Sequence, residues 1–409
     1  MIILGDIIEQ IRGLSYSKKD VVSKSIEGYN PVLRAGNIQL GQIIEDNYVY
    51  VPNNLIKEKQ FLKEGDMLIA ASSGSLSIVG KAAMVHSNMD ATFGAFCKVL
   101  RPKQERVYKG YFKHYFETSY YKRTIKSLAE GANINNLRTG HFDNLEIPLP
   151  PLDQQKKIAA ILDAADAYRQ KTKALIEKYD ELLNSIVYQC LGDSLNKDLK
   201  NIKSGSKEFL EDGYSWYSLD EITELIADID HKMPKSVEKG KIFLSAKDLS
   251  DNGELDFSNP KFISEEDFKH LSRKVKPKKL DIIYSRIGAK LGKARLVKTD
   301  HDFIVSYSCC TIRPKQDIVA PLYLKYILDS EATLRQASHG TRGIGVPDLG
   351  MGEIRTFKIP VPEKSISKKI VNQLERIEAQ KAQTQASLAQ AEDLFSSLLQ
   401  RAYKGELTS

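Results

Sequence analysis

The chain has 409 residues, of which 42% are apolar, so it is long enough to bury large cores in two or three domains. The 60 Lys and Arg outnumber the 53 Asp and Glu and give a formal net charge of +7, which permits an anionic partner without requiring one. Four cysteines, with only Cys309 and Cys310 adjacent, exclude a disulfide framework and a CxxC metal site. The sequence predicts no secretory signal and no membrane span, so we expect a cytoplasmic protein without membrane contact.

Short sequences recur along the chain at one constant offset. Gly-Lys-Ala at 80–82 recurs at 292–294, and Ile-Pro-Leu-Pro at 147–150 recurs as Ile-Pro-Val-Pro at 359–362. Between them, Arg-Pro-Lys at 101–103 recurs at 313–315 in the same register, which makes chance a poor explanation. We therefore interpret the chain as one unit of about 210 residues duplicated in tandem.

Residues 1–150 are predicted to form an α+β domain, since a buried strand at 66–70 precedes helical spacing at 111–127. Two of its loops, 71–77 and 131–138, carry small polar side chains that can pair with base edges. Loops rich in Asn and Gly are as often plain turns, but their place in a repeat favours function. The candidate DNA-binding residues in these loops are Ser72, Ser73, Ser75, Asn133, Asn135, Asn136 and Arg138.

A long helix is predicted over residues 151–192. Asp153 can cap its start and Gly192 can end it, which leaves about 38 residues or roughly 57 Å of helix. Apolar residues recur every seven positions, with a second line three positions further on, as in a coiled-coil seam. The candidate seam residues are Ile158, Ile161, Leu162, Tyr168, Leu175, Tyr179, Leu182 and Ile186.

A solvated linker at 193–212 leads into a second α+β domain at 213–362. Between residues 269 and 298, eleven Lys or Arg accompany a single acid, Asp281. A solvated charged face normally mixes signs, so this run predicts contact with phosphates. The candidate DNA-binding residues of this domain are Arg273, Lys274, Lys276, Lys278, Lys279, Arg286 and Lys290, with His339 and Arg342 in a later loop.

A second long helix is predicted over residues 363–409, between a cap at Ser365 and a stop at Gly405. Its apolar stripe is less regular than that of the first helix and is interrupted by Lys381 and Thr384. Two long apolar stripes most simply bury each other, so we expect the helices to pair. The candidate seam residues here are Ile370, Leu374, Ile377, Leu388, Phe395 and Leu398.

The sequence contains two weak resemblances to catalytic motifs. Residues 288–294 are similar to a phosphate-binding loop but are one residue short and lack the Ser or Thr that holds magnesium. Asp348 with Glu353 and Arg355 is similar to a nuclease motif, but the spacing is short, Arg replaces the usual Lys, and the first repeat has Asn135, Asn136 and His141 at the corresponding place. A turn is the better interpretation of both segments, and the scattered histidines show no metal-binding spacing.

Two segments carry a resemblance to a known family. They are the run at 147–159, which enters the first long helix, and the run at 398–407, which closes the second. The chain resembles, over essentially its whole length, the specificity subunit of Type I restriction-modification systems. The resemblance implies an α+β fold with two tandem target recognition domains, separated by two long antiparallel coiled-coil helices with pseudo-two-fold symmetry. The second helix lacks the paired Gln154 and Gln155 of the first, which leaves its start less sharply defined.

The same resemblance implies a non-catalytic subunit with no cofactor of its own. It implies double-stranded DNA as a partner, with a bipartite, asymmetric target. It also implies two methylation subunits that bind S-adenosylmethionine, and restriction subunits that use ATP and Mg. Two alternatives remain open from the residues alone: a coiled-coil adaptor that binds proteins rather than DNA, and, with less support, a nuclease.

Overall fold

The computed structural model describes residues 1–39, 41–103, 105–130, 136–192, 197, 199, 201–231, 233–342 and 346–407. The chain divides into two compact units. The first unit consists of Met1–Lys173 with Ala386–Ser409, and the second consists of Ala174–Gln385. Each unit holds one α+β domain and a part of each of two long helices, so the prediction of two tandem α+β domains is confirmed.

The first domain is built from short strands and three short helices, and the first long helix, α4, follows it. The strands are β1 (Ile2–Ile3), β2 (Ile8–Arg12), β3 (Tyr29–Leu33), β4 (Ile38–Gln39), β5 (Gln42–Ile43), β6 (Val49–Pro52), β7 (Met67–Ala70), β8 (Ala82–Met84), β9 (Thr92–Phe93), β10 (Cys97–Pro102) and β11 (Glu146–Ile147). The helices are α1 (Lys109–Tyr115), α2 (Ser119–Glu130), α3 (Thr139–Asp143) and α4 (Leu152–Leu191).

The second domain repeats this pattern, and the second long helix, α9, follows it. The strands are β12 (Tyr214–Ser218), β13 (Thr223–Ala227), β14 (Lys241–Leu244), β15 (Lys261–Ile263), β16 (Ile282–Ser285), β17 (Ala294–Leu296), β18 (Phe303–Val305), β19 (Cys309–Pro314), β20 (Thr341–Arg342), β21 (Asp348–Leu349) and β22 (Lys358–Pro362). The helices are α5 (Glu265–Leu271), α6 (Pro321–Leu328), α7 (Glu331–Gly340), α8 (Met351–Arg355) and α9 (Lys364–Lys404).

The two domains share one sheet topology. A four-stranded antiparallel sheet has the order β2-β10-β7-β8 in the first domain and β13-β19-β16-β17 in the second. A three-stranded sheet has the order β6-β3-β9 in the first and β15-β14-β18 in the second, with one antiparallel and one parallel pair in each. The duplication read from the sequence is therefore a duplication of the fold.

The residues that recur in the sequence hold equivalent positions in the two domains. Arg101 donates two hydrogen bonds to Asp66, at 2.7 and 2.8 Å, and Arg313 does the same to Asp281 at 2.8 and 2.7 Å. Both carboxylates are buried, so each bidentate pair supplies the charge compensation that burial requires. Gly80 has φ +82°, and a Cβ there would lie 2.2 Å from Ile125 Cγ2, which explains why glycine recurs at this turn.

The long helices α4 and α9 contain 40 and 41 residues, or roughly 60 Å each at 1.5 Å per residue. In the first unit, Ile158 and Leu162 near the start of α4 share a hydrophobic cluster with Phe395 and Leu399 near the end of α9. In the second unit the reverse ends meet, since Leu183, Val187 and Cys190 share a cluster with Ile370 and Leu374. Each unit thus packs part of α4 against part of α9 in its own hydrophobic cluster.

Four of the predicted seam residues on α4 face solvent, and their assignment to the seam is wrong. Ile161, Tyr168, Leu175 and Leu182 are 40% to 56% exposed. The buried residue that accompanies Ile158 is Leu162, four positions later. Further along α4, Leu183 and Cys190 are also buried. Tyr179 and Ile186 are half-buried, as are Ile377, Leu388 and Leu398 on α9, while Ile370, Leu374 and Phe395 are buried.

The packing of the first α+β domain explains which side of α4 is covered. A Cβ at Gly110 of α1 would lie 3.1 Å from the Cβ of Ala159, and His114 contacts Asp163 at 2.8 Å. Helix α1 therefore covers the side of α4 next to Leu162, and the side that carries Ile161 is left open. Because Ile161 and Leu162 are both apolar, the heptad pattern of the sequence does not predict which of them lies on the buried face.

Candidate nucleic-acid interface

In the first unit, two loops that were predicted separately lie side by side. Ser72, which follows β7, forms a backbone bridge with Asn136, and Leu137 N donates to Ala71 O at 2.8 Å. Within three residues of this bridge along the chain, Ser73 is half-buried and Ser75 and Arg138 are exposed. The predicted residues Asn133 and Asn135 lie outside the described residues. The bridge thus places the backbones of the two predicted loops side by side.

A cavity of about 1120 Å³ opens beside Ser72 and Ser73. Phe96, which is 70% exposed, lies on its wall, as do Tyr16 and Arg34. The Arg34 guanidinium donates to Asn47 O at 2.7 Å, and burial raises the pKa of the Tyr16 hydroxyl. An exposed aromatic ring, an arginine and hydroxyl groups around one concavity are the groups that stack on and hydrogen-bond to bases.

The same two loops meet in the second unit with different side chains. Ile287 forms a backbone bridge with Asp348, and Leu349 N donates to Arg286 O at 3.0 Å. Arg286 therefore occupies the position of Ala71, and Asp348 occupies the position of Asn136. Sequence analysis considered Asp348 only as part of a nuclease-like motif and missed it as a DNA-binding candidate, although the repeat register aligns it with Asn136.

Arg286 is not the phosphate contact that its sequence context predicts. Its side chain is only 4% exposed and donates to Asp348 Oδ1 at 2.8 Å, to Leu349 O at 3.1 Å and to Asp228 Oδ2 at 3.1 Å. A guanidinium that is buried and already paired with two carboxylates has no surface left for DNA.

The basic run from 269 to 298 does not present the unmixed positive face that its sequence predicts. Carboxylates from distant segments pair with four more of the predicted contacts: Lys274 with Asp228, Lys276 with Asp302, Lys279 with Asp300, and Lys290 with Asp251. Arg273 and Lys278 are exposed and, within the described part of the chain, have no carboxylate within 4.0 Å. These two residues are the predicted cations of this run that remain free for phosphates.

The later loop of the second domain is a small hairpin. His339 is exposed in the last turn of α7. The backbone of Arg342 in β20 lies opposite that of Asp348 in the antiparallel strand β21. The side chain of Arg342 lies outside the described residues. The hairpin brings the predicted loop residue Arg342, through its backbone, to the rim where Ile287 meets Asp348.

The described residues contain no group of three or more His, Cys, Asp or Glu that could hold a metal ion. All four cysteines are buried, and burial raises the pKa of the Cys97 and Cys309 thiols to about 12. Such thiols are poor nucleophiles at neutral pH. Among the helices the structure describes, none is long and apolar enough to cross a membrane.

Comparison with known proteins identifies relatives of this arrangement. The chain matches the family described as Type I restriction modification DNA specificity domain over residues 1–178 and 228–393. It is 30% identical to the Type I restriction enzyme EcoKI specificity subunit of Escherichia coli, covering 98% of this chain and 87% of that protein. It is 29% identical, with the same coverage, to the StySPI specificity subunit of Salmonella potsdam.

The fold is also similar to that of a solved structure. The S subunit of a Type I restriction-modification system from M. genitalium superimposes with a TM-score of 0.55 at 15% sequence identity. The match covers 98% of this chain and 95% of that one. At this level of identity the likeness supports the fold and does not assign individual side chains.

Proposed function

This chain belongs to the family of Type I restriction-modification DNA specificity subunits, and from that premise we propose that its two units each bind one half of a bipartite, asymmetric DNA sequence. The observation that carries the proposal is the pair of equivalent loop bridges. One framework presents Ser72 with Asn136 in the first unit and Ile287 with Asp348 in the second. Equal scaffolds with different side chains suit the reading of two different half-sites.

Each unit would use two kinds of contact. Exposed cations such as Arg138, Arg273 and Lys278 would bind phosphates and position the unit, without reading sequence. Side chains at the bridged loops would contact base edges in a groove, where a good bidentate pair discriminates by about 1 to 3 kcal/mol. The chain itself carries out no reaction in this scheme, in keeping with a family that is named for DNA specificity.

The two long helices would form an antiparallel coiled coil that sets the distance between the half-sites. Two contacts in the first unit support this pairing: Lys173 Nζ lies 3.0 Å from Glu392 Oε1, and the Arg169 guanidinium lies 4.1 Å from the centre of the Phe395 ring. In the second unit Lys381 pairs with Asp180. A helix of roughly 60 Å corresponds to between one and two turns of DNA.

Two methylation subunits would join this chain and supply S-adenosylmethionine-dependent methylation of adenine. Restriction subunits would supply ATP- and Mg-dependent cleavage, and the complex would act in the cytoplasm. The exposed apolar residues Leu175 and Leu182 of the second unit support a partner that covers α4, because large apolar side chains on one helix face are costly to leave in water.

The proposal is tested by expressing the chain with its methylation subunits and mapping methylated adenines in the host genome. One asymmetric motif with a fixed, unread spacer is the expected result. Retention of DNA by the complex should also weaken steeply as salt is raised, because phosphate contacts release counterions. Protein assembly without DNA retention, unaffected by salt, would instead indicate a coiled-coil adaptor.

A further inference from the structure

Asp348 is an exposed carboxylate held in place by a buried arginine. Its side chain is 54% exposed, and Oδ1 accepts from Arg286 Nη1 at 2.8 Å. Among the described residues, nothing is hydrogen-bonded to Oδ2. One oxygen of Asp348 is therefore fixed from below, and the other is presented to solvent beside Ile287 and the hairpin of β20 and β21.

The buried arginine is itself held from several sides. Arg286 Nη1 also donates to Leu349 O, and Nη2 lies 3.1 Å from both Asp228 Oδ2 and His231 Nε2. The His231 ring stacks on Tyr307, with centroids 4.8 Å apart and an angle of 23°. Because two distant segments, 228–231 and 348–349, position the guanidinium, the carboxylate that it holds is preorganised, and little entropy is lost when that carboxylate binds a partner.

The first unit folds without this network. Ala71 occupies the position of Arg286, as shown by the matching bonds from Ala71 N to Phe96 O and from Arg286 N to Ser308 O. Asn136 occupies the position of Asp348. The shared framework therefore does not need the charges, and the Arg286 and Asp348 pair is specific to the second unit.

We propose that Asp348 is a specificity-determining residue that reads the exocyclic amino group of a cytosine or an adenine in the second half-site, and that Arg286 is its positioning residue. The inference rests on the proposed function. An ionised carboxylate only accepts hydrogen bonds. In the major groove, cytosine and adenine offer amino donors, while guanine and thymine offer carbonyl acceptors at the corresponding place.

The charge of Asp348 explains why it would serve discrimination rather than affinity. A carboxylate close to phosphates weakens binding to every DNA sequence. The amino group of a cytosine or an adenine offsets that cost by donating a hydrogen bond to the carboxylate. The carbonyl oxygen of a guanine or a thymine instead repels the carboxylate, which adds to the repulsion by the phosphates. Repulsion of wrong bases is the device by which a binding site rejects near matches.

The experiment uses the complex with its methylation subunits and compares D348N, R286K and the control D317N by genome-wide mapping of methylated adenines. Asp317 is an exposed acid of the same unit, in the turn before α6. An amide both donates and accepts, so D348N should lose about tenfold or more of the preference for amino bases at one position of the second half-site. R286K should weaken the preference at that same position, with the other positions unchanged.

The outcomes separate this inference from the proposed function. A wild-type complex that methylates no bipartite motif would refute the proposed function and the inference with it. A wild-type motif that D348N leaves unchanged, or alters in the first half-site, would refute the inference alone. A change in D317N equal to that in D348N would also refute it, because a general loss of negative charge would then suffice. Since Asp348 is exposed, D348N keeps the test valid even where R286K fails to fold.

Discussion

His114 is a fully buried titratable side chain in the first unit, and it faces one carboxylate on α4 and one in the turn after α1. Its Nε2 lies 2.8 Å from Asp163 Oδ1 on α4, and its Nδ1 lies 3.4 Å from Glu117 Oε1. Lys113 and Arg169 pair with the same carboxylates. Burial lowers the pKa of His114, but the two carboxylates together outweigh it, so the pKa is raised. The imidazolium consequently ties α1 to α4.

We expect the stability of the first unit to depend on this proton. Because the folded pKa is above the unfolded value of about 6.5, the stabilisation is complete below that pH and is lost as pH rises through the folded pKa. The carboxylates do not obscure the effect, since hydrogen bonding to His114 lowers the pKa of Asp163 to about 2. The melting temperature of the wild type minus that of H114Q should therefore fall between pH 6 and pH 9. A difference that is constant over this range would contradict the assignment.

Sequence and structure agree on what recurs and differ on what is paired. The repeat identified Arg101 and Arg313 as equivalent, but Asp281 read as a lone acid in a basic run. In the fold it is the buried partner of Arg313. The sequence likewise predicted Arg286 to be a DNA contact. Its charge is instead paired with the carboxylates of Asp228 and Asp348, which come from distant segments of the chain. Ion pairs across the sheet carry no signal in a local charge count.

At the scale of the element, α4 shows which features of a helix a heptad pattern predicts and which it does not. The sequence gives a predicted helix at 151–192, and the structure has Leu152–Leu191. The pattern also places Ile158 on the buried face. It does not distinguish Leu162 from Ile161 as the companion position, because both are apolar and one residue apart. That choice depends on where α1 packs, which is a tertiary contact.

Leu162 and Ile161 form a matched pair for testing this face. Leu162 is 0% exposed and Ile161 is 40% exposed. L162A should lower the free energy of unfolding of the first unit by about 2 to 5 kcal/mol, since it leaves a cavity in a closed cluster. I161A should cost about 1 kcal/mol or less. Urea denaturation monitored by limited proteolysis measures the free energy of unfolding of both variants. Equal losses of stability for L162A and I161A would show that the buried face is assigned wrongly.

At the scale of the whole molecule, the helix pair is proposed to act as a spacer. Inserting four residues after Lys173 in α4 and four after Gln385 in α9 adds about 6 Å to each helix. Both insertions fall where one compact unit ends and the other begins. The unread spacer of the methylated motif should lengthen by about one or two base pairs, given roughly 34 Å per turn of DNA. Mapping of methylated adenines measures the spacer, and an unchanged length would refute the role of the helices.

The central claim is that two separate readers share one chain, and exchanging one of them tests it most directly. Residues 1–150 would be replaced by the corresponding domain of a specificity subunit with a different target, in complex with the same methylation subunits. Methylation mapping should then show a new first half-site, with the second half-site and the spacer unchanged. A hybrid that alters both half-sites, or leaves both as they were, would contradict the claim.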